Sequence, residues 1–167
     1  QIKEESKWEE GEEALRRDPG DSRANNALGL LLLRRGKFAE AEPYLRAAIE
    51  RATMRNPNPY DSEAFFNLGQ TLKMQGRYDE AYDAFYKATW TFAVRAASYY
   101  EIARIDCRRD DFVTAIEHLD RAIASNTYHH QAQHLKVACL RQLNRSDDAQ
   151  QKMTQALKLD RFNTGVH

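Results

Sequence analysis

The apolar residues of this chain recur at spacings of three and four, the period of an α-helix that buries one face. In the stretch FFNLGQTLKMQGRYDEAYDAF, Leu68 and Leu72 keep this spacing before Gly76, and Ala81 and Phe85 keep it afterwards. Glycine at such a break favours a turn. The pattern therefore predicts two short helices joined by a turn.

The same pattern returns along the chain at a fixed interval. One position in each first helix lies twelve residues before an alanine of the second helix, and the pairs are Gly29–Ala41, Gly69–Ala81, Ala103–Ala115 and Val137–Ala149. These alanines follow one another at 40, 34 and 34 residues. The six extra residues of the first interval are NPNPYD, whose prolines cannot continue a helix. The sequence is thus an array of helical repeats with one short insertion.

This period and pattern resemble the tetratricopeptide repeat (TPR), a helix–turn–helix unit of 34 residues with W-x2-L-G-x2-Y, then A-x3-F, then P. The second repeat matches best, through Leu68-Gly69, Tyr78, Ala81 and Phe85. The stretch NALGLLLLRRGKFAEAEPYLRAAIERAT is also similar, more weakly, to TPR segments of large bacterial proteins. Those proteins carry a β-rich upstream domain that is a candidate for carbohydrate chemistry.

The resemblance implies an all-α fold, an α-α superhelix (TPR solenoid) of antiparallel helix pairs. The expected order by residue number is an acidic N-terminal helix that ends a preceding repeat (1–21), TPR 1 (22–55), a Pro/Asn-rich insertion (56–61), TPR 2 (62–95), TPR 3 (96–129), a degenerate TPR 4 (130–163) and a tail (164–167). Gly69 then faces Ala81, so that the two backbones can approach closely. The glycine is explained by packing and carries no catalytic information.

In TPR arrays a concave surface is lined mainly by the first helices of the pairs. The family positions that face this groove imply a set of candidate residues that is rich in arginine and aromatic side chains: Asn26, Arg34, Phe66, Gln70, Lys73, Tyr100, Arg104, Arg108, His134 and Arg141. Arginine binds carboxylates through paired hydrogen bonds, which favours an extended or helical peptide with acidic groups. The alternative is a solvated surface with ordinary arginine content.

Other chemistry finds little support in the residues. The carboxylate clamp of chaperone-binding TPRs is matched only at Asn67. His130 and His134 are spaced to hold a metal on one helix face, but no third ligand is evident and a polar helix start explains them as well. Asp106 takes a position that is usually apolar, which predicts either a buried acid paired with an arginine or a slightly rotated helix. No phosphate loop or catalytic set is present, so we expect no enzyme activity and no cofactor in this segment.

The charge balance and the cysteine content limit the classes of partner and the compartment that we expect. Lys+Arg and Asp+Glu are 25 each, so the formal net charge is zero and gives no indication of nucleic acid or membrane. Cys107 and Cys139 form no disulfide framework, which favours a reducing compartment, and we expect a cytoplasmic protein. The expected partner is a protein or peptide.

The ends of the chain suggest self-association. The sequence starts at Gln1, and too few residues follow Asp160 to form a capping helix, so both ends resemble boundaries within a longer protein. An uncapped last repeat predicts a homodimer through apolar residues of that repeat, with candidates Leu140, Leu143, Met153, Leu157 and Phe162. The alternative function is therefore an accessory or dimerisation segment of a larger enzyme whose catalytic domain lies outside these residues.

Overall fold

The structure, a computed structural model, describes residues 1–59 and 61–163, apart from the side chains of residues 160, 162 and 163. In this range the chain is all helical, as predicted. Its helices are α1 (Ile2–Arg17), α2 (Ser22–Arg34), α3 (Phe38–Thr53), α4 (Glu63–Met74), α5 (Tyr78–Ala88), α6 (Phe92–Arg108), α7 (Phe112–Ser125) and α8 (His130–Asn163). The pairs α2/α3, α4/α5 and α6/α7 form the first three repeats. The predicted tail 164–167 and the Phe162 side chain lie outside the described residues.

Local side chains fix where the helices begin. The Asp21 carboxylate caps α2 by accepting a hydrogen bond from the Ala24 amide at 2.8 Å, and Asp111 caps α7 in the same way through Thr114 at 3.2 Å. The hydroxyl of Ser22 donates to the carbonyl of Ala48 at 2.9 Å. This bond ties the start of α2 to the second helix of its own pair.

The turn inside each of the first three repeats needs a residue with positive φ. Gly36 has φ 74° and Gly76 has φ 76°, values at which glycine carries no steric penalty. Asp110 takes the equivalent place with φ 57°, since a short polar side chain tolerates this region better than most. The chain therefore reverses at the same point in every one of these pairs.

Gly69 lies where the two helices of the second repeat approach most closely. A Cβ added there would lie 2.7 Å from Phe85 Cδ1, so the predicted need for a small residue is confirmed. The partner differs from the prediction, because the nearest atoms belong to Phe85 rather than to Ala81. Gly29 repeats the arrangement, with an added Cβ 2.6 Å from the Leu45 side chain. In both pairs the large residue of the second helix fills the space above the glycine.

The last repeat departs from the predicted helix pair. Residues His130–Asn163 form one continuous helix of 34 residues. Asn144 occupies the turn position but stays helical. Two residues further on, Ser146 stands where the other repeats have Phe38, Tyr78 and Phe112. Those three aromatic side chains are half-buried beside their turns, and the exposed serine offers no such contact.

None of the helices in the described part of the chain has the length and apolar content needed to cross a bilayer.

Candidate functional site

The first helices of the pairs form a continuous inner row. α2 contacts α4, and α4 contacts α6, while the second helices α3 and α5 pack against the first helices that follow them. In a TPR-like superhelix this arrangement places the first helices on the concave side. We call the surface of α2, α4, α6 and the first half of α8 the concave face.

The ten candidate groove residues are all accessible to some degree. Half-buried side chains are those of Asn26, Phe66, Gln70, Lys73 and Tyr100, and exposed ones are those of Arg34, Arg104, Arg108, His134 and Arg141. Accessibility permits a binding role without testing it. Their assignment as a peptide site therefore stays a prediction.

Two of these residues hold neighbouring repeats together. Lys73 Nζ lies 2.7 Å from Glu101 Oε2, with the two side chains only 17% and 9% exposed, and this ion pair joins α4 to α6. The amide nitrogen of Asn67 donates to Asn26 Oδ1 at 2.9 Å and joins α4 to α2. Lys73 is thus neutralised by a carboxylate and offers little charge to a ligand. Sequence reasoning did not predict the pairing of Glu101 with Lys73, because the two residues lie 28 positions apart in different repeats.

Aromatic rings lie close to two of the candidate arginines. The Arg104 guanidinium lies 5.8 Å from the centre of the Tyr100 ring, and the same ring lies 5.1 Å from the ring of His129. Arg108 stacks at 4.3 Å over the ring of Tyr78, beside the turn of the second repeat. Such stacking orients an arginine while leaving its N–H groups free to bind. Phe66, in contrast, packs against the core at 5.6 Å from Phe85.

Carboxylates do not neutralise all of the arginines along the concave face. Glu101 approaches Arg104 at 3.4 Å, but within the described residues no carboxylate comes within 4.0 Å of Arg34, Arg108 or Arg141. A cleft of about 600 Å³ lies at the start of this face, and its lining includes Arg23, Asn26, Leu30, Ile49, Pro59, Asp61, Glu63 and Phe65. The face therefore offers several unneutralised guanidinium groups along its length.

A larger cleft of about 1070 Å³ lies where the insertion approaches the α5–α6 connection. Its lining includes Pro59, Trp90, Phe92, Arg95 and Arg121. Arg95 donates hydrogen bonds to the carbonyls of Thr89 and Trp90, and these bonds stabilise the α5–α6 connection. Sequence reasoning treated residues 56–61 only as an insertion, since no local pattern shows which helix ends it approaches.

A buried polar cluster joins α5, α6 and α7. Asp106 Oδ2 lies 2.6 Å from His118 Nδ1, and the Tyr82 hydroxyl donates to Asp106 Oδ1 at 2.9 Å. The predicted burial of Asp106 is confirmed, but its partners are His118 and Tyr82 rather than an arginine. Burial and then the hydrogen bond to Asp106 raise the pKa of Tyr82, so the phenol stays protonated and donates.

The Tyr86 hydroxyl contacts the other ring nitrogen of His118. Asp106 is 3% exposed and His118 is 5% exposed, so a substrate could not reach either side chain without a change in packing. Every buried polar side-chain atom that the structure describes has a hydrogen-bond partner. The burial of these polar side chains is therefore explained by the hydrogen bonds that they make between α5, α6 and α7.

One of the three histidines at the start of α8 has a structural role. His129 Nδ1 accepts a hydrogen bond from the amide of Ala132 at 3.2 Å, which caps the helix. His130 and His134 are exposed. In the part of the chain that the structure describes, no three His, Cys, Asp or Glu side chains come together in a way that could hold a metal ion.

The two cysteines meet between α6 and α8. The Sγ atoms of Cys107 and Cys139 lie 3.3 Å apart, and both are free thiols. Burial, followed by the contact with Cys139, raises the pKa of Cys107 to about 12. This thiol is therefore protonated at neutral pH.

Comparison with known proteins agrees with this architecture. Residues 21–89 match the family model for the tetratricopeptide repeat. YrrB, described as a TPR protein with an unusual peptide-binding site, is 30% identical over 77% of this chain and 63% of its own, with a TM-score of 0.63. The chain therefore spans less than two thirds of the length of YrrB.

Two further solved structures share the fold at lower identity. MamA has a TM-score of 0.71 at 20% identity over 90% of this chain and 79% of its own. PilF of Pseudomonas aeruginosa has a TM-score of 0.71 at 19% identity over 84% of this chain and 62% of its own. Residues 21–89 belong to the tetratricopeptide repeat family, and the chain has the helical repeat fold of TPR proteins, which generally serves as a scaffold for binding other proteins.

Proposed function

We propose that this chain binds an extended peptide or protein segment with acidic groups along its concave face. The observation that carries the proposal is the set of exposed arginines there, of which Arg34, Arg108 and Arg141 have no carboxylate within 4.0 Å among the described residues. Arg104 beside Tyr100 adds a cation with an aromatic neighbour. Guanidinium groups bind carboxylates in a bidentate manner, and the spacing along the face suits a chain rather than a single small anion.

The similarity to YrrB supports a peptide ligand, since that protein is described as having a peptide-binding site. We assign no catalytic step, metal or cofactor to the segment. A partner of nucleic acid or membrane is not proposed, because the net charge of the chain is zero. We place the protein in a reducing compartment such as the cytoplasm, where two free thiols in contact would persist.

The test starts from a random dodecamer library displayed on phage and selected on the wild-type chain. We expect the selected peptides to be enriched in Asp and Glu. Arg104→Glu with Arg108→Glu should weaken their binding at least tenfold, because two attractive charge contacts become repulsive. Rising salt should weaken the wild-type complex as well, because ions screen these pairs.

The matched control is Arg16→Glu with Arg17→Glu, which makes the same charge change at exposed positions of α1. We expect this variant to keep wild-type affinity. Circular dichroism would establish that both variants are folded. A selection without acidic peptides would exclude an acidic ligand, and equal binding by a folded Arg104→Glu/Arg108→Glu variant would exclude the concave face as the site.

The second candidate function is self-association, either of this chain alone or as the dimerisation segment of a larger enzyme. It is favoured by apolar side chains that α8 leaves in solvent: Leu140 is 43% exposed, Met153 65% and Leu157 62%. Leu143 is half-buried instead. Light scattering over a range of concentrations tests this function, and a monomer at every concentration would exclude it.

A further inference from the structure

The two cysteines of the chain meet across the boundary between the third repeat and α8. Cys107 lies near the end of α6 and Cys139 in the first half of α8, 32 residues later, and their Sγ atoms are 3.3 Å apart. Two atoms that are about to form a bond are typically held at about 3–3.5 Å. The sequence contains no other cysteine. Any disulfide bond within one copy must therefore join these two residues.

The two thiols differ in their access to solvent. Cys139 is 1% exposed, whereas Cys107 is half-buried. A small oxidant can therefore reach Cys107 directly, and Cys139 reacts through its contact with Cys107. Burial raises the pKa of Cys107, so that little thiolate is present at neutral pH and the reaction is slow. Slow reaction suits a site that responds to sustained oxidation rather than a catalytic dithiol.

We propose that Cys107 and Cys139 are a modification site, at which a low-molecular-weight disulfide such as oxidised glutathione introduces a reversible disulfide bond. The Cys107 thiolate attacks one sulfur atom of oxidised glutathione, which gives a mixed disulfide and releases one glutathione thiolate. The Cys139 thiolate then attacks Cys107 Sγ and releases the second glutathione. The protein loses two electrons and two protons, and the oxidant leaves as two molecules of reduced glutathione.

The new bond needs a small movement of the two side chains. Their sulfur atoms approach from 3.3 Å to the length of a disulfide bond, about 2.0 Å. The bond then joins α6 directly to α8. In the reduced chain α8 packs against α7, where Lys136 Nζ lies 2.6 Å from Asp120 Oδ1 in a partly exposed ion pair. Oxidation therefore adds a covalent link to a helix that is otherwise held by packing and by a solvent-screened pair.

A glutathione redox titration tests the site. The chain is equilibrated at mildly alkaline pH with mixtures of reduced and oxidised glutathione, once in native buffer and once in concentrated urea. The folded structure holds the two sulfur atoms in contact, whereas in the unfolded chain a flexible segment separates them. We expect the equilibrium constant for the disulfide to be at least tenfold larger in the folded chain. An equal or smaller constant in the folded chain would overturn the proposal.

Mass spectrometry identifies the bond that forms. Trypsin should release the peptides IDCR and VACLR, which contain Cys107 and Cys139, as one linked species two hydrogen atoms lighter than their sum. This species should come from the monomer band of a non-reducing gel. Wild-type protein that keeps glutathione on Cys107, or that links only between copies, would also contradict the proposed site.

Two single variants serve as controls. Cys139→Ser leaves the half-buried Cys107, which should retain one glutathione because no second thiol displaces it. Cys107→Ser leaves Cys139, which is 1% exposed and should stay unmodified. Oxidation should raise the melting temperature of the wild-type chain alone, since the disulfide restricts the unfolded state, and dithiothreitol should reverse the rise. A wild-type melting temperature that oxidation leaves unchanged or lowers would count against the site.

Discussion

Phe85 in α5 and Met153 in α8 occupy equivalent positions in two repeats, but Phe85 is fully buried and Met153 is 65% exposed. Both belong to helical segments with a similar spacing of apolar residues. The segments differ at the preceding turn. Gly76 has φ 76° and Tyr78 comes two residues later, whereas Asn144 remains helical and Ser146 comes two residues later. An apolar pattern shows which face a helix will bury. Whether it buries that face against its neighbour depends on a turn that reverses the chain.

The largest expected contrast lies at these two positions. Phe85→Ala removes a fully buried ring and should lower the free energy of unfolding by about 3–5 kcal/mol. Met153→Ala should change it by less than about 0.5 kcal/mol in dilute protein, where copies are separated. Urea unfolding followed by circular dichroism measures both. A similar loss in both variants would mean that residues 145–159 pack within a single copy.

A smaller contrast is expected at the closest approach of the helices. Gly69→Leu must insert its side chain against the Phe85 ring and should cost about 1–3 kcal/mol. Val137→Leu, at the equivalent position of α8, adds one methylene to a side chain that is 47% exposed and should be close to neutral. Thermal melting of the two variants side by side tests the repeat register. A melting temperature of Gly69→Leu within a degree or two of wild type would contradict it.

Position 106 offers a comparison in polarity. Asp106→Ala leaves His118 and the Tyr82 hydroxyl without their shared acceptor, which should cost about 1–3 kcal/mol. Leu140→Ala, at the equivalent place in α8, should cost less, because Leu140 is 43% exposed. A double-mutant cycle with His118→Ala isolates the interaction of Asp106 with His118. Additive losses would show that the two side chains do not stabilise each other.

The smallest effect concerns an ion pair between the first two repeats. Burial alone would raise the pKa of Glu42, but hydrogen bonds from Arg77 and Arg46 outweigh it and hold the pKa below its ordinary value. The pair therefore contributes stability above the pKa of the unfolded chain, and this contribution is lost as pH falls through the lower folded value. The two arginines are partly exposed, so solvent screens the effect.

Glu42→Gln checks the sign of this linkage. Wild type should lose stability relative to the variant as the pH is lowered from about 5 to 3, the region around the ordinary pKa of glutamate. Glu40→Gln, an exposed neighbour, is the matched control and should follow the wild-type curve. Parallel pH curves for wild type and Glu42→Gln would show that Glu42 has no such role.

Several contacts on the concave face could not be read from the sequence. The position of Lys73 indicates a cation that faces the groove, yet its charge is taken up by Glu101, 28 residues later in the chain. Cys107 and Cys139 belong to different repeats, and only the packing of α8 brings their sulfur atoms to 3.3 Å. Such partners depend on how one repeat rotates relative to the next. The spacing of residues within one repeat does not predict that rotation.

The sequence by itself determined the helices, their period and the need for a small residue at Gly69, because all three follow from spacing within one repeat. It also predicted a helix pair in the last repeat, where the structure has the single helix α8. Only the tertiary structure decided that Asp106 pairs with His118 and that α8 runs straight through Asn144. The first depends on how α6 packs against α7, and the second depends on the turn contacts that Ser146 does not make.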